Sequence, residues 1–352
     1  MKKTLFIMSW VLLFVSCSDW LLAAASPTQG LVQGSIWVAN EEGNSITVIN
    51  AGQNNVAATL TGIAGPHNLQ VSPDGKTVWV VSGHDSKAVM IDAATYKVHG
   101  AVHTGKHPAH IVVSPDGKRV YVTNAGDNTV SVIDVSSMKT VTEIPVGQYP
   151  HGLRPSPDGK YVYVATIKGN SVSVIDAIKN AKIIDIPAGE KPVQVAFSSD
   201  SRIAYVSLNG EDAVVKIDVE KQSVIGKVKV GIGPVQIFIT PDNKHVLVAN
   251  QGTEKKPSTT VSIIDTGNFS VSSTVETGKG SHGVVVDPSG QYAYVTNIYG
   301  NDVSVIDLST NKTIAKIPTG NKPNGISFSS FASPVSSTPI IQLIIDGMEM
   351  KH

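Results

Sequence analysis

After residue 30 the chain alternates apolar and polar positions in short runs, and no helical periodicity competes with them. His110 to Ser114, Arg119 to Asn124, Thr129 to Val135 and Thr140 to Val146 are such runs, rich in β-branched and aromatic residues. Turn sequences separate them: Pro115-Asp116-Gly117, then Ala125-Gly126-Asp127-Asn128, then Ser136-Ser137-Met138. The pattern predicts four antiparallel strands joined by hairpins.

The unit recurs seven times. Tyr121-Val122-Thr123-Asn124 with Ile133-Asp134 is the clearest copy, and Tyr294-Val295-Thr296-Asn297 with Ile306-Asp307 repeats it. The turn before each first strand carries Pro66, Pro108, Pro150, Pro192, Pro234, Ser281 and Pro323, at intervals of 42 residues except for one of 47. The five extra residues fall in Gln251 to Ser258, between a second and a third strand. A four-stranded repeat of this length predicts an all-β, seven-bladed β-propeller. The chain enters with three strands, at about 35–39, 45–50 and 55–61, and ends with a lone first strand, Asn324 to Ser329. Pairing that last strand with the first three closes the ring as a velcro blade and removes free sheet edges. The propeller is expected over 35–330, preceded by a linker over 26–34 and followed by a loosely docked or disordered tail over 331–352. The Asp of each Ile-Asp pair is expected to cap the following turn by accepting backbone N–H bonds, with Asn50 serving in the first copy.

The Tyr-Val-Thr-Asn tetrapeptide resembles the repeat of the YVTN family of β-propellers. Pro150-His151-Gly152-Leu153 and the Ser-Pro-Asp-Gly turns at 72–75, 114–117 and 156–159 fit that repeat. The nearest likeness is to exported YncE-like propellers. More distant ones are to lactonase-like propellers, the haem-binding propeller of nitrite reductase and the propeller subunits of quinoprotein amine dehydrogenases. The resemblance implies no single activity. It implies a binding or interaction scaffold working through the channel-mouth face, with a lactonase-like hydrolase or a haem-, metal- or quinoprotein-associated redox accessory as alternatives. A YncE-like relationship also suggests a DNA partner.

Charge argues against that partner. Lys and Arg number 28, as do Asp and Glu, so the 352-residue chain is neutral, with no bulk basic character for nucleic acid. An unknown protein or small-molecule ligand is the expected partner. Lys2-Lys3, the apolar run Leu5 to Val15 and Ala23-Ala24-Ala25 read as a signal peptide over 1–25, which places the protein in the periplasm or envelope. Phe14-Val15-Ser16-Cys17 also resembles a lipobox, so lipidation at Cys17 is the alternative route to the membrane. No other cysteine exists, and the fold must hold without disulfides.

Candidate chemistry gathers at the first-strand entrances, which share the channel mouth with the loops between second and third strands. His67, His151 and His282 directly follow their turn residues, His110 lies one position later, and His107 precedes Pro108. Imidazoles converging there could hold a metal, a haem or an anion. The expectation is the plainer one, that they bond neighbouring backbone and fasten blade to blade. His107 and His110 are the expected local pair. Arg154 sits among small and apolar residues at its inner-strand position and offers a fork for a carboxylate or phosphate. Met348, Met350 and His352 form a soft-ligand tail suited to Cu(I). No cofactor is required by any motif: Gly-rich phosphate loops, zinc-type Cys/His spacing and a G-x-S-x-G elbow are all missing.

Overall fold

The computed structural model describes residues 32–333 and 338–345. The leader with Cys17, and Met348, Met350 and His352, lie outside the described residues. Among the described residues, twenty-nine strands, β1 to β29 in chain order, form seven sheets, antiparallel throughout except for the pairing of β29. The innermost strands are β4 (Pro66–Val71), β8 (Pro108–Val113), β12 (Pro150–Pro155), β16 (Pro192–Phe197), β20 (Pro234–Ile239), β24 (Ser281–Val286) and β28 (Pro323–Ser329). Each packs against the next, and β28 packs against β4, which closes the ring around a central channel. Closure is the expected velcro: β28 pairs antiparallel with β1 (Ser35–Asn40), which continues into β2 (Ser45–Asn50) and β3 (Asn55–Thr61).

The alternating pattern explains the packing. Second strands are buried on both faces, between their own sheet's neighbours and the adjacent blades. Val80, Val122, Val164, Val206, Val248 and Val295 are all fully buried. The Tyr-Val-Thr-Asn signature has a structural role at each position. Tyr121, Tyr163 and Tyr294 fill the space between sheets. Asn124 Nδ2 donates to Thr129 Oγ1 and Ser131 Oγ, while its Oδ1 accepts from Gly105 N–H in the turn entering the first strand. Thr123 Oγ1 accepts from His110 N–H at 3.0 Å and donates to the His151 carbonyl at 2.7 Å, tying one blade to the next. Ser207 and Thr296 repeat this latch. The Ile-Asp residues act as turn caps: Asp92, Asp176 and Asp265 each accept two backbone N–H bonds, and Asn50 does the same.

Two features depart from the sequence reading. The extra residues around 251–258 extend β21 (His245–Thr253) and β22 (Lys256–Asp265) into a longer hairpin rather than a free loop. Residues 338–345 of the tail dock by strand pairing and packing, where a loosely docked or disordered segment is expected from sequence. β29 (Ile340–Gln342) adds a fifth, parallel strand outside β3, and Leu343 is 4% exposed within the core of the first two blades. Gly62 permits this approach: at φ +105° a Cβ would stand 2.6 Å from Gln342 Nε2 and the Leu343 carbonyl. The physical reason is that an outermost strand carries unpaired backbone groups, which an apolar segment within reach can satisfy.

Candidate functional site

Every innermost strand carries a bulge at the same place. In β4 the register passes from Pro66↔Ser82 to Leu69↔Val80, so His67 and Asn68 together oppose one residue. The same shift occurs in β8 between Pro108 and Ile111 and in β12 between Pro150 and Leu153. A bulge re-aims side chains that strict alternation would send to opposite faces. That is why His110, one register position later than His67 and His151, joins them at the channel.

The three rings come from adjacent blades. Centroids are 4.4 Å apart for His110 and His151, 5.5 Å for His67 and His151, and 5.7 Å for His67 and His110. One nitrogen from each lies within 4.8 Å of the others. Each ring is anchored through Nδ1. His67 Nδ1 donates to Glu41 Oε1 at 3.0 Å. His151 Nδ1 donates to the Val193 carbonyl at 3.3 Å. His110 Nδ1 lies 3.3 Å from Gln194 Nε2, and Gln194 Oε1 is engaged by Val195 N–H at 2.8 Å. Gln194 therefore donates to His110, whose proton sits on Nε2. Gln194 reaches across because the intervening blade has Gly152, where a Cβ would meet Gln194 Oε1 at 2.5 Å. The buried Nε2 atoms of His67 and His110 have no protein partner.

Glu41 completes the cluster and was not singled out by sequence. Its N–H donates to the Lys322 carbonyl, and its Oε2 accepts from Asn324 Nδ2 at 2.9 Å. The equivalent loop position holds Gly83, Ala125, Ile167, Asn209, Gln251 and Ile298 in the other blades, so Glu41 is the one acid in that column. That column was the available signal. Burial alone would raise Glu41, but the His67 hydrogen bond and charge, with Asn324, hold it at about 2. Burial and the neighbouring imidazoles push His151 down to about 3 and His110 well below the ordinary range. Burial and His67 hold His282 at about 4. His110, His151 and His282 are thus neutral at pH 7, as metal ligands must be.

The other expected residues fall as follows. His282 is buried and electrostatically coupled to His67, yet outside the three-ring group. His107 does not pair with His110. It takes the left-handed conformation that precedes each first strand, with φ +49°, and its side chain is exposed while its carbonyl accepts from Ala125 N–H. Arg154 lines the channel beyond the histidines and makes no ion pair among the described residues; burial lowers it to about 10.

Residues 75–338 match the model of the YNCE-like beta-propeller family. The chain belongs to that family. Among curated proteins, none matches it. Of the solved structures similar to this YNCE-like propeller, Kuenenia stuttgartiensis hydrazine synthase is 27% identical over 77% of this chain and 91% of its own, with a TM-score of 0.69. A functionally unknown protein from Desulfotomaculum acetoxidans is 14% identical over 84% of this chain and 99% of its own, at 0.76. The dihydro-heme d1 dehydrogenase NirN in complex with DHE is 16% identical over 84% and 75%, at 0.63. The last two show the fold alone.

Proposed function

We propose that the protein is an exported binding propeller whose channel mouth holds a transition-metal ion on His67, His110 and His151. The observation that carries this reading is the anchoring of three adjacent imidazoles by Nδ1, with the Nε2 of His67 and His110 buried and unpartnered. Glu41 behind His67 is the carboxylate–histidine arrangement that fixes tautomer and raises ligand basicity. His67 and His151 present lone pairs directly. His110 joins once its proton moves to Nδ1 and the Gln194 amide turns over to accept it, giving up the bond from Val195 N–H in exchange for the metal–nitrogen bond. Imidazole nitrogens around a tetrahedral ion stand about 3.3 Å apart, so binding draws the rings inward by small rotations. Zn²⁺, Cu²⁺ and Ni²⁺ suit three imidazoles; hard cations that prefer oxygen do not.

The electrostatics weigh against a metal-free hydrolase. A carboxylate held at about 2 and a His151 held at about 3 are weak bases at neutral pH. Titration of the mature protein with Co²⁺ tests the proposal. One equivalent should give visible ligand-field absorption that Zn²⁺ displaces and that His67→Ala/His151→Ala eliminates. Absorption surviving in the folded double variant would refute the assignment.

A further inference from the structure

Beyond the histidines the channel opens into a cavity of about 280 Å³ lined by residues of β4, β8, β12, β16, β20, β24 and β28. No Asp or Glu is among its lining residues, and Arg154 supplies its only fixed charge. The chain has three arginines. Arg119 is paired with Asp134 and Arg202 with Asp200, which leaves Arg154 as the one without an acid. Arg154 is half-buried, and a guanidinium partly withdrawn from water without a counter-charge gains from an anion that pairs with it.

The rest of the lining points the same way. Gln236 also lines the cavity, and its buried Nε2 has no hydrogen-bond partner. Arg154 and Gln236 thus bring donor side chains without acidic or acceptor partners to one space. Val112, Phe238 and Val285 add apolar wall to the same space. A single guanidinium fork matches a carboxylate in two parallel bonds, and the apolar wall suits a hydrocarbon group attached to it.

We infer that this cavity binds a small monocarboxylate carrying an apolar group, with the carboxylate on Arg154 and the Gln236 amide beside it. The volume, near the lower end for ligand pockets, limits the ligand to about the size of a benzoate or a short branched fatty acid. The site stands on Arg154 and Gln236 and does not need a metal at the mouth.

Calorimetric titration with benzoate, isovalerate, benzamide and inorganic phosphate tests it. The expected result is one-to-one binding of benzoate and isovalerate, with benzamide and phosphate at least tenfold weaker. Arg154→Gln should weaken benzoate at least thirtyfold and Arg154→Lys about tenfold, since lysine lacks the fork. His67→Ala/His151→Ala should bind benzoate as the wild type does while losing metal. Side-chain NMR of arginine-labelled wild-type protein gives a readout without mutation, because only one of three guanidinium signals should move on adding benzoate. Equal affinity for benzamide, unchanged affinity in Arg154→Gln, or no shift of any guanidinium signal would overturn the inference. Phosphate binding in preference to both carboxylates would overturn it as well.

Discussion

Glu41 and His67 lie on adjacent blades, and the Glu41 Oε1 accepts a hydrogen bond from His67 Nδ1 at 3.0 Å. That one bond fixes the tautomer of His67 and turns its Nε2 lone pair toward His110 and His151. Without it His67 could rotate or exchange its proton between nitrogens. Removing the charge while keeping the shape isolates the effect. Glu41→Gln should leave the fold intact and weaken metal binding about 10- to 100-fold, the usual cost of losing such a partner. Competition against a metal indicator measures it.

Acid should destabilise the protein in a defined window. His151 and His282 are held at about 3 and about 4, against an ordinary value of 6.5. The unfolded chain therefore binds protons that the folded one refuses as pH falls below 6.5, and stability drops until the folded values are reached. Glu41, at about 2 against 4.5, adds a second loss below pH 4.5. The thermal midpoint should be flat from pH 8 to 7 and fall steadily from 6.5 to 4. His151→Asn should reduce that slope; an unchanged slope would mean that the imidazoles are not the groups responsible.

Thr123 should matter to both stability and site. Its hydroxyl serves the His110 N–H and the His151 carbonyl at once. Thr123→Val keeps the volume and strips both partners of a buried bond, at a cost of about 1–3 kcal/mol. Denaturant unfolding should show that loss, and metal affinity should fall with it because both ligands shift.

His107 supplies the contrasting case. Its left-handed backbone is strained for a residue with a Cβ, and its side chain reaches none of the other rings. His107→Asn, better tolerated in that conformation, should leave metal binding unchanged and stability equal or slightly higher. Leu343→Ala tests the tail in the same way. It should cost about 2–4 kcal/mol as a buried leucine, without touching the mouth.

The fold was legible because strand period, turn residues and the 42-residue repeat all agree. Tyr163, Val164 and Asp176 carry the same information as Tyr121, Val122 and Asp134, so errors in one copy are corrected by the others. The site was legible only in part. His67 and His151 share a register position and could be placed together, whereas His110 reaches them through a bulge that alternation alone does not reveal. Glu41 and Asn324 meet His67 only because the velcro brings the two ends of the chain into one blade. His107 was misjudged because its neighbour Pro108 marks the entrance without revealing that the preceding residue points outward. The tail escaped because it belongs to no repeat.

The most direct test of the central claim is native mass spectrometry of the mature protein with Zn²⁺, beside His67→Ala/His110→Ala/His151→Ala and His282→Ala. One zinc per chain is predicted for the wild type and for His282→Ala, and none for the triple variant at equal folding. Zinc in the triple variant, or none in the wild type, would contradict a metal site at the channel mouth and leave the three histidines as fasteners between blades.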